Sequence, residues 1–146
     1  MKISSRLDYA LSCAIILADR YEQGKPTPVG LISKRESIEY DYVEQLLRAL
    51  RRAGIVKSAR GSKGGYVLSR RPADITAMDI VLAVEKSVLQ LVCERPRARR
   101  KDCSHFDDCK VRGLWLGLRS VIGDYLKLYT LKGLLLLRRK EKAFKK

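Results

Sequence analysis

The segment "CERPRARRKDCSHFDDC" concentrates most of the metal-binding chemistry of the chain. It holds Cys93, Cys103 and Cys109, which are three of the four cysteines, and His105, the single histidine. Thiolates are soft ligands that suit iron–sulfur clusters, zinc or copper(I). Structural zinc sites usually pair ligands about two to four residues apart, whereas the cysteines here follow C-x9-C-x5-C. The pattern therefore indicates a thiolate site. A zinc knot that includes His105 and a disulfide switch between two of the cysteines remain alternatives.

A dense positive run, "RPRARRK", lies between the first two cysteines. Its charge could offset the negative charge of a thiolate-bound cofactor, because charge near such a group tunes its stability. The same run could equally be a solvated loop that contacts phosphates. Both readings fit the residue types.

The overall charge favours a polyanionic partner. The formal net charge is +15 over 146 residues, and hydrophobic residues make up 46% of the chain. Such a chain can bury a core, and it would be attracted to nucleic acid or an anionic membrane surface. Neither a signal peptide nor an apolar run near the roughly 20 residues of a membrane span is visible. We therefore expect a cytoplasmic protein with no membrane partner. In the cytoplasm, cysteines are more often metal ligands or redox-active thiols than parts of structural disulfides.

The first half of the chain predicts three helices. Apolar residues recur at helical spacing from Ser5 to Tyr21, with Ser5 as the expected N-cap and Asp8 as its partner. Thr27 followed by Pro28 predicts the start of a short second helix. "YDYVEQLLRALRRAG" predicts a third helix that ends before Gly54.

A β-hairpin is predicted next, from Ile55 to Ser58 and from Tyr66 to Ser69, around a glycine-rich basic loop. Helix, short helix, helix and basic hairpin, in that order, predict a winged helix-turn-helix. The expected fold is mainly α with this one small hairpin.

The second half predicts a capped helix from Thr76, with Asp79 as its capping partner, and then a long helix within 111–129. The long helix carries a broad apolar face that a small domain cannot cover, which favours pairing with a second copy. Thr130 is the expected cap of a final helix. The expected division is a DNA-binding domain (1–85), a cysteine loop (86–109), a dimerisation region (110–137) and a basic tail (138–146).

Several side chains of the third helix and the hairpin could reach DNA. Residues near the start of a recognition helix meet base edges, and arginines fix its register on phosphates. Gln45 could pair with adenine and Glu44 with cytosine, while Arg60 of the hairpin could enter the minor groove. The candidate DNA-binding residues are Asp41, Tyr42, Glu44, Gln45, Arg48, Arg52, Arg60 and Lys63.

The tracts "GIVKSARGSKGGYVLSR" and "YVEQLLRALRRAG" resemble the wing and recognition helix of the IscR/NsrR-like transcription regulators, the Rrf-two family. The resemblance runs from "SSRLDYAL" through the long helix. It implies a homodimeric regulator of double-stranded DNA, and several members bind an iron–sulfur cluster, 2Fe–2S or 4Fe–4S, through three cysteines in this loop.

The resemblance also implies candidate ligands. Cys93, Cys103 and Cys109 correspond to the cluster cysteines, although the first interval is wider than the family's C-x5-C-x5-C. Arg112 stands three residues after Cys109, where some members carry a histidine ligand. Asp8, in "DYAL", corresponds to an aspartate that the nitric-oxide-sensing members supply from the other subunit. His105 is the alternative fourth ligand.

The leading expectation is a transcriptional repressor whose cluster senses nitric oxide, redox state or iron–sulfur status. The alternative is a metal-free or zinc-containing regulator controlled by a partner protein, a metabolite or thiol oxidation. An enzyme is not expected, because the residues form no catalytic constellation and the wing glycines are not followed by the helix that a phosphate-binding loop requires.

Overall fold

The computed structural model describes residues 3–59, 61, 64–85, 87–89, 91, 103 and 105–144, with 138–144 as backbone alone. Within these ranges the chain forms six α-helices and one two-stranded antiparallel sheet. The elements are α1 (Ser5–Asp19), α2 (Val29–Glu36), α3 (Tyr40–Arg52), β1 (Val56–Ala59), β2 (Gly65–Leu68), α4 (Ala77–Glu85), α5 (Arg112–Lys127) and α6 (Leu131–Phe144). No described helix is long and apolar enough to cross a membrane.

The core lies between α1, α3 and α4, and α6 packs against the outer side of α1. Each of these helices buries one apolar face, as amphipathic helices of a globular domain do. In α3 the predicted stripe is confirmed, since Val43, Leu46, Leu47 and Leu50 are buried. Their burial fixes which side of α3 faces solvent.

The turn between α2 and α3 sets the angle at which α3 leaves the domain. Ser37 takes a left-handed conformation (φ 55°). The Ser33 hydroxyl donates to the Ile38 carbonyl at 2.7 Å, and the Ile38 amide donates to the Ser33 carbonyl at 3.1 Å. These two bonds satisfy backbone groups that the end of a helix would otherwise leave unpaired.

The start of α2 differs from the prediction by one residue. Pro28, not Thr27, is the N-cap of α2. Thr27 instead forms an isolated bridge with Tyr66 of β2, with amide-to-carbonyl bonds of 2.9 Å in both directions. The wing is therefore tied to the segment before α2 as well as to α3.

The start of α1 also differs from the prediction. The N-cap is Ser4, whose Oγ accepts from the Leu7 amide at 3.2 Å, so the predicted Ser5–Asp8 capping box is wrong. The Ser4 hydroxyl also donates to the carboxylate of Glu85, the last residue of α4. One side chain therefore caps α1 and joins it to the end of α4.

The second half of the chain is anchored at the start of α4. The predicted capping pair is confirmed: Asp79 Oδ2 accepts from the Thr76 amide at 2.8 Å, and Thr76 Oγ1 accepts from the Asp79 amide at 3.2 Å. Thr76 also pairs with Thr130, directly before α6. Thr130 caps α6 as predicted, because its Oγ1 accepts from the Gly133 amide at 3.1 Å. α5 is shorter than the predicted span, and α6 continues to Phe144, inside the segment expected to be a tail.

A tight approach at Gly65 yields a test of the wing. A Cβ at Gly65 would lie 2.3 Å from the Thr27 carbonyl oxygen. We expect Gly65→Ala to destabilise the protein by about 3 kcal/mol, because the two bonds between Thr27 and Tyr66 must break. Gly30→Ala is the matched control, since its Cβ would meet nothing closer than Tyr40 Cε2 at 4.0 Å, and helix propensity predicts a gain of up to about 1 kcal/mol. Urea unfolding at one fixed protein concentration measures both; equal midpoints would contradict the prediction.

Candidate functional site

The solvent side of α3 presents a continuous polar stripe. Asp41, Gln45, Arg48 and Arg52 are all exposed and are spaced by four, three and four residues. That spacing places them on one face of a helix, opposite the buried apolar residues. Acidic Asp41 lies in the first turn and Arg52 in the last, which complements the helix dipole. The stripe, called here the α3 stripe, has the length and donor types to enter a major groove.

Two predicted DNA-binding residues of α3 are already engaged within the protein. Tyr42 is half-buried against the core, and its ring packs edge-on to Tyr9 of α1 with centroids 6.1 Å apart. The Glu44 carboxylate accepts from the Arg48 guanidinium at 3.0 Å. Tyr42 therefore helps to hold α3 on α1, while Glu44 orients Arg48.

The wing lies beside the end of α3, but residues 60, 62 and 63 of its tip are outside the described residues. Arg60 and Lys63, the predicted contacts of the tip, fall there and stay predictions. The Arg51 guanidinium donates to Ser58 Oγ of β1 at 3.2 Å, which joins α3 to the wing. The exposed Lys57 of β1 faces solvent on the same hairpin.

Tyr40, the first residue of α3, is not among the predicted DNA-binding residues, although its side chain is 52% exposed. Its position directly after the turn could have marked it, because the first residues of a recognition helix meet the bases.

The cysteine loop reaches α5 through two short turns. The Phe106 amide donates to the Cys103 carbonyl at 3.2 Å, and the Arg112 amide donates to the Cys109 carbonyl at 3.3 Å. Both cysteines are half-buried free thiols. Cys93 lies outside the described residues. The structure therefore places two of the three predicted thiol ligands on one compact segment at the start of α5.

The two candidates for a fourth ligand differ in their surroundings. Asp8 is exposed on α1, one turn after the Ser4 cap that contacts Glu85. His105 is exposed, and its Nδ1 lies 3.9 Å from the Asp108 carboxylate. Within the described ranges no three His, Cys, Asp or Glu side chains lie close enough together to hold a metal ion.

The fourth cysteine is separate from this chemistry. Cys13 is fully buried in the core. Burial raises the pKa of its thiol to about 12, and the negative charge of Glu36 adds to the shift. The thiol is therefore neutral and inaccessible, as expected for a cysteine that serves as a small apolar residue.

α5 leaves much of its apolar face uncovered in the single chain. One side packs on α4, where a Cβ at Gly123 would meet Met78 Cε at 3.7 Å. Leu128, which the sequence reasoning did not include, is 77% exposed. The exposed apolar residues on or beside α5 are Val111, Leu114, Trp115, Val121, Tyr125 and Leu128. An apolar surface of this kind marks an interaction site, and these six residues are called the α5 face below.

Comparison with known proteins assigns the family. The model of the Rrf2 family, described as an iron-dependent transcriptional regulator, matches residues 3–136. The chain belongs to this family. IscR of Vibrio atlanticus (strain LGP32) is 37% identical over 131 residues, which cover 90% of this chain and 73% of that protein.

Two solved structures of Rrf2-type regulators superpose closely. CymR, the global cysteine regulator of B. subtilis, gives a TM-score of 0.74 at 33% identity and covers 94% of this chain and 98% of its own. IscR of T. potens gives 0.74 at 29% identity and covers 98% and 90%. The predicted winged-helix fold and family are therefore confirmed. This Rrf2 chain is a DNA-binding transcriptional regulator and not an enzyme.

The donor set fits the cofactor that the family implies. Cys103 and Cys109 are free, half-buried thiols on one short segment, and soft thiolates are the ligands that iron–sulfur clusters use. A third cysteine and either Asp8 or His105 would complete four ligands.

The α3 stripe can be tested by its effect on salt dependence. We expect Arg52→Ala to reduce the steepness of the plot of log binding constant against log salt concentration by about 0.9, measured on a labelled duplex of random sequence. The reason is that a protein with one fewer phosphate contact releases fewer counterions when it binds. Arg71→Ala is the matched control, since Arg71 is an exposed arginine that lies before α4, outside the α3 stripe, and is paired with Asp74 at 2.8 Å. Fluorescence anisotropy over a salt series gives both slopes. The stripe would be excluded as a phosphate contact if the two variants kept the same slope as the wild type.

Proposed function

We propose that the chain acts as a homodimeric transcriptional repressor that holds an iron–sulfur cluster and responds to nitric oxide, redox state or iron–sulfur supply. The proposal rests on the order of three features along the described part of the chain. An exposed reading stripe lies on α3, free thiols lie at the start of α5, and an uncovered apolar face runs along α5 itself. A change at the thiols would act on the helix that joins two copies.

The α5 face supports the homodimer. Val121 and Leu114 are each 66% exposed, and Tyr125 is 56% exposed. Covering a large apolar side chain contributes about 1.5–3 kcal/mol, so several such residues from each copy supply a strong driving force. A two-fold interface uses the same surface from both copies, and one helix face meets that condition.

The cysteine loop supports the cluster. Cys93, Cys103 and Cys109 are the proposed cysteine ligands, and Asp8 is the proposed fourth ligand, with His105 as the alternative. When bound, the cluster supplies a centre that gains or loses electrons and reacts with nitric oxide. An oxygen ligand such as Asp8 binds soft iron–sulfur centres less strongly than a thiolate. A site completed by Asp8 would therefore release one ligand readily, which suits a sensor.

The exposed residues of α3 and the wing support double-stranded DNA as the partner. In this proposal Asp41, Gln45 and Arg48 of the α3 stripe meet the major groove, and Arg52 contacts phosphate. The wing tip with Arg60 and Lys63 reaches the adjacent backbone or minor groove. Two DNA-binding regions joined through α5 would bind a DNA site with matching two-fold symmetry.

A regulator without a cluster, controlled by thiol oxidation, is the second candidate. It is favoured by the free thiols of Cys103 and Cys109, which could lose two protons and two electrons to an oxidant and form a disulfide. The two candidates differ in whether iron is bound.

The homodimer predicts a clear effect of charge on α5. We expect Val121→Asp to weaken self-association by about 100-fold or more, because a buried unpaired charge costs about 3 kcal/mol or more. Tyr40→Asp is the control, since it places the same charge on a 52% exposed side chain of α3. Sedimentation velocity across a concentration series measures the dimer constant. A Val121→Asp protein that stays dimeric at the wild-type constant would place the interface elsewhere.

The cluster predicts a cysteine-specific loss of iron. After anaerobic reconstitution we expect wild type to bind iron and sulfide and to be coloured, and Cys103→Ala and Cys109→Ala to lose both. Cys13→Ala is the matched control and should keep the cluster, because Cys13 is buried in the core. Asp8→Ala should keep the colour but lose it faster on exposure to nitric oxide. Iron and sulfide analysis with visible spectroscopy decides, and a colourless, iron-free wild type would favour the oxidation-controlled regulator.

A further inference from the structure

The side chain of Arg112 folds back over the segment that carries two of the cysteines. Its Nη2 donates to the Phe106 carbonyl at 2.8 Å, and its guanidinium carbon lies 5.9 Å from the centroid of the Phe106 ring. The backbone amide of Arg112 donates to the Cys109 carbonyl. Arg112 thus holds the preceding turn by its main chain and its side chain together.

Phe106 is the point at which this hold reaches Cys103. It lies midway in sequence between Cys103 and Cys109, and its amide donates to the Cys103 carbonyl at 3.2 Å. Its carbonyl and ring are both engaged by Arg112. The Cys103 backbone is therefore bound to a residue that the Arg112 side chain holds, and the Cys109 backbone is bound to the Arg112 amide directly, so Arg112 links the backbone of both cysteines.

The chemistry of arginine decides what position 112 can contribute. A guanidinium stays protonated and has no lone pair to offer a metal, so Arg112 cannot be a ligand. It contributes a fixed positive charge instead. The charged groups around it include the acidic Asp107 and Asp108 and the basic Lys110, all exposed, whereas Arg112 is half-buried and its charge is screened less.

We propose that Arg112 is the positioning residue of the cysteine loop. It clamps Phe106 so that Cys103 and Cys109 are held ready to bind, and it keeps a positive charge beside them, while position 112 leaves the fourth ligand to a residue outside α5. The role of the charge toward a cluster rests on the proposed function; the clamp itself does not. Outer residues that orient ligands commonly change affinity about 10–100-fold when they are replaced.

The clamp is tested first without any metal. In the reduced, metal-free protein, hydrogen exchange with fragment-level resolution reports the amides of Phe106 and Arg112. We expect Arg112→Gln and Arg112→Lys to speed exchange of both amides by about 10-fold, because the bond to the Phe106 carbonyl contributes on the order of 1 kcal/mol or more. Lys110→Gln removes the same charge from an exposed neighbour and should leave exchange unchanged. Phe106→Leu, which keeps the carbonyl and removes the ring, should give a smaller increase and serves if the Arg112 variants fold poorly.

The reconstituted protein then tests whether Arg112 positions the cysteine ligands or only stabilises the folded protein. We expect both Arg112 variants to alter the visible circular dichroism of the cluster, and Arg112→Gln to shift its reduction potential to more negative values, since a nearby cation favours the reduced state. Arg112→Lys, which keeps the positive charge, should shift the reduction potential less than Arg112→Gln does. Lys110→Gln should leave the dichroism at the wild-type pattern.

The outcomes separate the two proposals. Unchanged exchange in the Arg112 variants would overturn the clamp, and a lower melting temperature accompanied by wild-type dichroism and potential would overturn the role of Arg112 toward the cluster. A wild type that binds no iron would overturn the proposed cluster. In that case faster exchange in the metal-free variants would still support Arg112 as the residue that positions the two thiols.

Discussion

Two backbone hydrogen bonds join the segment that leads into α4 to the segment between α5 and α6. The Ala77 amide donates to the Tyr129 carbonyl at 2.7 Å, and the Leu131 amide donates to the Ile75 carbonyl at 2.8 Å. Leu131 is fully buried, so this pairing is shielded from water. The start of α4 and the start of α6 are therefore held together at the two ends of the span that contains Cys103 and Cys109.

The contact between Ser4 and Glu85 gives the same span a second fixed point. Glu85 ends α4, directly before the segment that leads to Cys93, and Ser4 caps α1. α1 also packs on α3, partly through the rings of Tyr9 and Tyr42. A contiguous set of packed elements thus runs from α5 through α4 and α1 to α3. Contacts of this kind can carry coupling between sites only if the elements have two arrangements, and loss or gain of a thiolate-bound group would supply the second.

Local sequence predicted the elements whose structure depends on local chemistry. The apolar stripe of α3, the glycine after it, the capping pair of Thr76 and Asp79 and the Thr130 cap all follow from neighbouring residues. The errors arose where a distant partner decides. Thr27 pairs with Tyr66 of the wing instead of capping α2, and Ser4 is selected over Ser5 at a position where it also reaches Glu85. The packing of Tyr42 on Tyr9 could not be predicted either, because the two residues are far apart in sequence.

The candidate site was predictable to a similar degree. The thiol ligands were marked by residue type and spacing, whereas the contacts of Arg112 with Phe106 need the folded turn, and the sequence showed only that a ligand was missing at that position. The exposed face of α5 was predicted from periodicity, but Leu128 was not, because its exposure depends on the chain turning toward Thr130 just beyond it.

In the proposed complex, the pairing of Glu44 with Arg48 would let a strongly basic protein discriminate between DNA sites. A net charge of +15 attracts any duplex, so a few groups of α3 would have to supply the discrimination. The ion pair is exposed, with Arg48 at 58% and Glu44 at 35%, and exposed pairs at this helical spacing contribute only about 0.3–0.5 kcal/mol. Arg48 can therefore leave Glu44 and bind a phosphate or a base edge at a small cost in free energy. Glu44 would then face DNA, where a base that offers no donor would leave the carboxylate unpaired, and an unpaired desolvated carboxylate costs more than the exposed ion pair contributes. In this proposal the weak pair would let the helix approach DNA, and the released carboxylate would penalise the wrong sequence.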